Sequence, residues 1–242
     1  MKLITDKNMR IISSITASSS DAYFPASNLL NYDPGIIWKA GAFSAAVRLT
    51  MDLGAAVEIP HIWINNANFL NCTLQANSSN SWTSPALSKD VTFASDDINI
   101  CKGFFDFSPV NYRYASILIP VQALLDAETV PTLGNVIIGT ALTLKVAAWE
   151  FQIETPVSIF RPDSGGYRRQ NKGRERHVFT LSLQDSKPGM DARPLKGWEL
   201  GIICTDLADV ADSYLVYKPI GRKGITRNIN DQARTEVLEE YV

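Results

Sequence analysis

Cysteine is scarce: Cys72, Cys101 and Cys204 are the three in the chain. An odd, widely spaced set is no disulfide framework, and the absence of Cys-x-x-Cys leaves a zinc site without support. A single bridge, such as Cys72 to Cys101, would leave Cys204 over. The favoured reading is three reduced cysteines buried as small apolar side chains. Histidine is scarcer still, with His61 inside an apolar stretch and His177 at the start of another. Both read as hydrogen-bonded structural residues rather than general bases. There is no Gly-x-Ser-x-Gly, no His-Glu-x-x-His and no phosphate-cradling glycine loop. A non-enzymatic protein without metal or cofactor is expected.

Charge of one sign is also lacking. Lys and Arg total 23 against 25 Asp and Glu, a net charge of −2. That balance gives no global pull toward nucleic acid or anionic membranes. Long apolar runs are missing too. The longest candidate, residues 130–149, is broken by Pro131, Gly134, Asn135, Gly139 and Lys145, well short of the ~18 uncharged apolar residues of a membrane span. The opening MKLITDKNMRII has no apolar run followed by a small-residue cleavage site, so it does not read as a secretory signal. Synthesis in a cytoplasm and no membrane insertion are expected.

What the chain does have is many short apolar stretches separated by turn residues. Residues 47–53 (VRLTMDL) alternate: Val47, Leu49, Met51 and Leu53 face one way, Arg48, Thr50 and Asp52 the other. Residues 9–15, 59–65, 72–76, 103–107 and 112–119 are further strands. In the last, Tyr112, Tyr114, Ser116 and Leu118 share one face, and Arg113, Ala115, Ile117 and Ile119 the other. Residues 77–88 form a polar loop. Residues 121–128 are the one short helix candidate, and residues 136–138 and 142–153 close the region as strands.

Composition shifts near Thr155-Pro156. Residues 161–176 carry Arg161, Arg168, Arg169, Lys172, Arg174 and Arg176 with almost no apolar content. Strands are expected at 177–183, 198–204 and 214–217, and a polar helix or ordered tail over 229–241. Many short strands and few helices point to an all-β sandwich or barrel. The boundary is placed near 155: a β-sandwich over residues 1–155, then a smaller β-rich extension over 156–242 bearing a basic arm.

The stretch FPASNLLNYDPGIIWKA at 24–40, followed by VRLTMDLG at 47–54, resembles the discoidin, or coagulation-factor type C, family with its galactose-binding-like jelly roll. Ala26, Leu29, Leu30, Asp33 and Trp38 fit the first motif, and Asp52, Leu53 and Gly54 the second. Residues 111–119 sit where that family has an Arg-Tyr strand. The wording is closest to the version in many bacteriophage and prophage tail proteins, which often continue into an arginine-rich Ser-Gly-Gly stretch. Here Ser164, Gly165 and Gly166 with Arg168 and Arg169 are similar. The resemblance spans about residues 20–180.

It implies a virion structural protein of the tail tip or baseplate, made in the host cytoplasm. Its partners would be other tail proteins and copies of itself in a symmetric ring. The alternative is a carbohydrate-binding module recognising cell-surface glycans. Read physically, Trp38 is a core plug, Asp33-Pro34-Gly35 a turn, and Gly54 a position needing positive φ.

This fold usually takes ligands at the loop ends of the sandwich. The loop candidates are Tyr23, Asn68, Phe69, Trp82 and Phe104, with Phe105 beside the last. Exposed aromatics among them would stack on sugar rings. The competing reading is that they pack in their own core or on a neighbouring subunit. The basic arm reads as a solvated hairpin or as an arm docking on an acidic partner, with Asp231, Glu236, Glu239 and Glu240 as a complement in a neighbouring copy. Asp96, Asp97 and Asn99 have calcium-loop spacing, but a solvated turn is favoured. Asp96-Asp97 and Glu239-Glu240 diverge too much to be acid/base pairs.

Overall fold

The computed structural model describes residues 2–5, 9–31, 33, 35–95, 101–107, 110–125, 128–143, 146–154, 157–160, 168–171, 176–184, 200–204, 213–217 and 233–240. Among them are twenty strands, numbered β1 to β20 in chain order, one short 3-10 helix and no α-helix. Two compact units emerge. One comprises Lys7–Leu142 with Cys204–Ser213, the other Met1–Asp6, Thr143–Ile203 and Tyr214–Val242. The boundary expected near 155 falls inside the second unit.

The first unit is a sandwich of two antiparallel sheets. The larger has the order β2-β4-β10-β6-β7, built from Ser14–Ala17, Val47–Glu58, Asn111–Ile119, Asn71–Asn77 and Leu87–Thr92 respectively. The smaller has the order β12-β5-β9-β8, from Asn135–Gly139, His61–Ala67, Cys101–Asp106 and Ala94–Ser95. A short ladder pairs β3 (Trp38–Lys39) with β11 (Thr132–Leu133). Inner faces of both sheets meet in one core. Leu49, Met51, Leu74 and Ile117 come from the larger sheet, and Ile62, Ile64, Phe105 and Ile138 from the smaller. This is the all-β, jelly-roll type of sandwich the sequence implies.

The physics of β4 is the simplest. Val47, Leu49, Met51 and Leu53 are all buried while Arg48, Thr50 and Asp52 are half-buried on the opposite face, the alternation that a one-sided sheet requires. The Asp-Leu-Gly motif also gains a reason. Asp52 Oδ1 accepts the N–H of Gly54 at 2.8 Å, and Gly54 sits at φ +77. Gly54 lies inside β4, where it bends the chain, rather than at its end. Trp38 is fully buried, and its Nε1–H donates to Ser20 Oγ at 2.9 Å. Ala26 and Leu29 of the 3-10 helix Ala26–Leu30 are buried, while Leu30 is exposed.

Four local expectations are corrected. Where a helix is expected over 121–128, residues 121–124 are not helical and Leu125 has 3-10 geometry. Leu124 instead pairs in an isolated bridge with Phe69, and the Gln122 side chain is spent on the backbone of Asn71. A register shift in β10 between Tyr112 and Tyr114 turns Arg113 off the core face to meet Asp52. The single strand expected over 142–153 is two among the described residues, β13 (Leu142–Thr143) and β14 (Val146–Glu154). Residues 233–240 form strand β20 (Ala233–Glu240), paired with β17 (Arg176–Gln184).

The second unit holds a seven-stranded sheet of order β13-β1-β18-β19-β20-β17-β14. Its remaining strands are β1 (Lys2–Thr5), β18 (Leu200–Cys204) and β19 (Ser213–Tyr217). A hairpin joins β15 (Val157–Phe160) to β16 (Arg168–Asn171).

Candidate functional site

Strand directions sort the sandwich loops into two ends. β2, β7 and β10 finish where β4 and β6 begin. That end, the loop end, carries residues 18–46, 68–70 and 120–131. The opposite end carries the 78–86 loop and the Met9 to Gly139 bridge.

At the loop end, Tyr23 is 87% exposed and Phe24 40%. Their backbone is pinned on both sides. Asp21 N–H donates to Lys39 O at 2.8 Å, and Lys39 N–H to Phe24 O at 3.1 Å. Tyr23 N–H donates to Asp21 Oδ1 at 2.8 Å. Lys39 follows the buried Trp38, so the segment presenting Tyr23 is anchored to the core. Lys39 Nζ reaches Glu128 Oε2 at 2.9 Å in an exposed ion pair.

Asn68 and Phe69 share this end but not its surface. Asn68 is 3% exposed and Phe69 fully buried. Asn68 Nδ2 donates to Val130 O at 3.1 Å, and Asn68 Oδ1 accepts Thr132 N–H at 2.8 Å. Asn68 O accepts Leu125 N–H at 2.8 Å. Phe69 packs edge-on to Phe93 with ring centroids 5.8 Å apart. The pair stitches residues 124–132 to the sandwich, so neither offers a face to a ligand. Phe104 is also buried, on β9, with the His61 ring 5.3 Å away. Phe105 packs in the core against Phe93. His61 has the structural role expected of it. Its Nδ1 lies 3.2 Å from both Gly139 O and Ala141 N, and its Nε2 lies 3.3 Å from Asp106 Oδ1.

Trp82 lies elsewhere, in the loop at the opposite end. Asn80 Oδ1 accepts its Nε1–H at 2.8 Å, and Asn77 Nδ2 fixes the loop by donating to Ser81 O at 2.7 Å. Its half-buried indole stacks on the Arg48 guanidinium, with Cζ 5.1 Å from the ring centroid. Beneath, Arg48 Nη1 donates to Gln75 Oε1 at 2.5 Å and to Ser116 Oγ at 2.7 Å. Arg48 is the residue that sequence reasoning passed over. The alternation of β4 put it on the polar face, but the folding of residues 78–86 onto that face had no sequence signature. Burial lowers its pKa. Nearby, Arg113 Nε and Nη2 grip Asp52 Oδ1 and Oδ2 at 2.9 and 2.8 Å. The Arg113 hydrogen bonds, with that of Gly54 N–H, hold the Asp52 carboxyl below its usual range.

Cys72 and Cys101 are in no disulfide and are buried. Desolvation, followed by the charge of Asp90, pushes the Cys72 thiol far up. Among the described residues no three His, Cys, Asp or Glu side chains gather where they could hold a metal ion. The calcium-loop candidates Asp96, Asp97 and Asn99 lie outside the described residues, as do Arg161, Lys172, Arg174 and Asp231. Arg168 and Arg169 fall on β16, Arg176 opens β17, and Glu236, Glu239 and Glu240 fall on β20.

No family model matches the chain and no curated protein matches it. Several solved structures are similar to it over about half its length. A chitosan-binding module from a chitosanase/glucanase of Paenibacillus sp. IK-5 is 17% identical, with 55% of this chain and 98% of that one covered and a TM-score of 0.44. A CBM32 module of AlyQ in complex with 4,5-unsaturated mannuronic acid is 18% identical, with 54% and 96% covered and a TM-score of 0.42. A fucose-binding module of Streptococcus pneumoniae is 17% identical, with 55% and 96% covered and a TM-score of 0.45.

Proposed function

We propose that the sandwich is a non-catalytic module that takes a sugar-bearing ligand at its loop end, with Tyr23 as the stacking platform. The observation that carries this reading is the exposure of Tyr23 on backbone that is hydrogen-bonded to β3 on both sides. A Tyr ring left so exposed by its own fold has its apolar face open to the C–H face of a pyranose, and its hydroxyl open to water or a sugar hydroxyl. Pinned backbone lowers the ordering cost of binding. The Lys39–Glu128 pair offers a donor and an acceptor on the same end.

The test is a glycan array with the full chain, followed by calorimetry on the hits. Tyr23→Ala should abolish binding and Tyr23→Phe should keep most of it, both with an unchanged melting temperature. A silent array, or a Tyr23→Ala variant that binds like the parent, would overturn the reading. Carriage on a phage tail, in a ring of like copies that attaches to host glycans, is a separate proposal from the sequence resemblance. Immunogold labelling of virions and the mass of the purified assembly test it.

A further inference from the structure

We infer that the outer face of the five-stranded sheet holds a second site, at Arg48 and Trp82, for the oxyanion of an acidic saccharide. It uses none of the residues that present Tyr23 and goes beyond the loop-end reading. Three arginines of the sandwich are described. Arg10 pairs with Glu58, and Arg113 with Asp52. Arg48 meets no carboxylate among the described residues. Its two protein partners, Gln75 Oε1 and Ser116 Oγ, take the two hydrogens of Nη1. That leaves Nε and Nη2, with three N–H donors, two of them side by side along one edge of the guanidinium. This edge is the fork that receives carboxylate or sulfate oxygens side-on.

The surroundings are built to hold the cation still. Ser116 is fully buried and Gln75 only 7% exposed. Ser116 Oγ accepts from Arg48 and donates to Gln75 Oε1 at 3.4 Å, so the floor beneath the guanidinium is polar and satisfied. Trp82 covers one face of it, itself fixed through Asn80. A partly desolvated cation without a counter-charge is costly to maintain in a folded protein, and an arriving anion relieves that cost. Carboxylates on this face are already engaged: Asp52 by Arg113, and Asp90 by the hydroxyl of Thr73 at 2.7 Å. A sugar is the carrier that suits the rest of the site. The half-exposed indole gives apolar ring surface beside the fork, and the hydroxyls of Thr50 and Ser88 lie on the same face of the sheet.

The experiment is calorimetry on the full chain with tetragalacturonate, its methyl ester and a sulfated galactose disaccharide. The parent should bind the acid about ten- to a hundred-fold more tightly than the neutral ester, the worth of a bidentate charge-assisted pair. Arg48→Lys keeps a charge over Gln75 and Ser116 but loses the fork, and should abolish that preference while leaving the melting temperature close to the parent's. Arg48→Met should do the same to binding. Tighter binding of the sulfated sugar than of the uronate assigns the site to sulfate esters, and the reverse assigns it to uronates. Equal binding of acid and ester by the parent, or an Arg48→Lys variant with the preference intact, would overturn the inference. Tyr23→Ala separates the two sites: it should leave the Arg48-dependent preference unchanged even if the loop-end reading fails.

Discussion

Replacing Gly54 by alanine tests the local logic of β4 most sharply, because the sign of the effect is at stake. In a regular strand, glycine to alanine is stabilising by roughly 0.5–1 kcal/mol, since alanine has less backbone freedom to lose. Gly54 is not in a regular strand conformation: its φ is +77. An L residue held there costs about 1–2 kcal/mol. A Cβ would also stand 2.8 Å from Ser13 Oγ, although 3.9 Å from Ser13 Cβ. The Ser13 hydroxyl is the end of a short side chain and can rotate away, so backbone strain is the larger effect. The expected outcome is a net loss of about 1–2 kcal/mol, a factor of roughly 5–30 in the opening equilibrium.

Native-state hydrogen exchange read by mass spectrometry is the assay, because it reports the opening of the sandwich by itself in a chain of two units. Peptides from β4 and β10 should exchange faster by that factor. Ser13→Ala alone should change little, and combined with Gly54→Ala it should recover only the small steric part. Gly54→Asn should cost less than Gly54→Ala, since asparagine tolerates positive φ. A neutral or stabilising Gly54→Ala would refute the account of the Asp-Leu-Gly turn.

Other outcomes follow from the same structure. Cys72 and Cys101 should resist alkylation at pH 8 in the folded chain and react fully in denaturant, read peptide by peptide; rapid native labelling would contradict their burial. The Asp52 carboxyl has a lowered pKa in the folded state, so its stabilising effect is present above the unfolded value of about 3.9 and fades as pH falls through the lower folded one. Asp52→Asn should flatten the acid limb of the stability profile, and high salt should shrink the difference because the pair is exposed. Asn68→Ala leaves Val130 O and Thr132 N–H without their side-chain partner, at about 1–3 kcal/mol each when buried. Exchange protection over residues 120–133 should fall while that of β4 holds.

How much was legible in the sequence differs by element, for physical reasons. β4 was readable because one face is buried and one is wet, so period two appears directly in its residues. Trp38 was readable because a large aromatic at the close of a loop has few places to go but inward. The irregularity at Arg113 was not, since a register shift between Tyr112 and Tyr114 leaves composition untouched and is set by how Asp52 and Gly54 are held. Residues 121–128 have helix-forming composition, yet Leu124 and Gln122 do more by serving Phe69 and Asn71. The candidate aromatics divided for the same reason. Whether a loop aromatic faces water depends on what folds over it, so Tyr23 stayed outside while Phe69 and Phe104 were covered. Arg48 lay on the face the alternation assigned it, but that it meets no carboxylate among the described residues is visible only in three dimensions.

The division of the chain has a consequence for its manufacture. β1 and β13 are neighbours in one sheet, yet all the strands of the sandwich's two sheets lie between them in sequence. On the ribosome β1 therefore emerges roughly 140 residues ahead of its first partner, a wait on the order of ten seconds at ordinary elongation rates. The sandwich can complete itself during that wait, since its own entry and exit are bridged at Met9 and Gly139. An orphan strand must meanwhile stay out of trouble. β1 is only four residues long, Lys2–Thr5, which offers little edge to a wrong partner during synthesis.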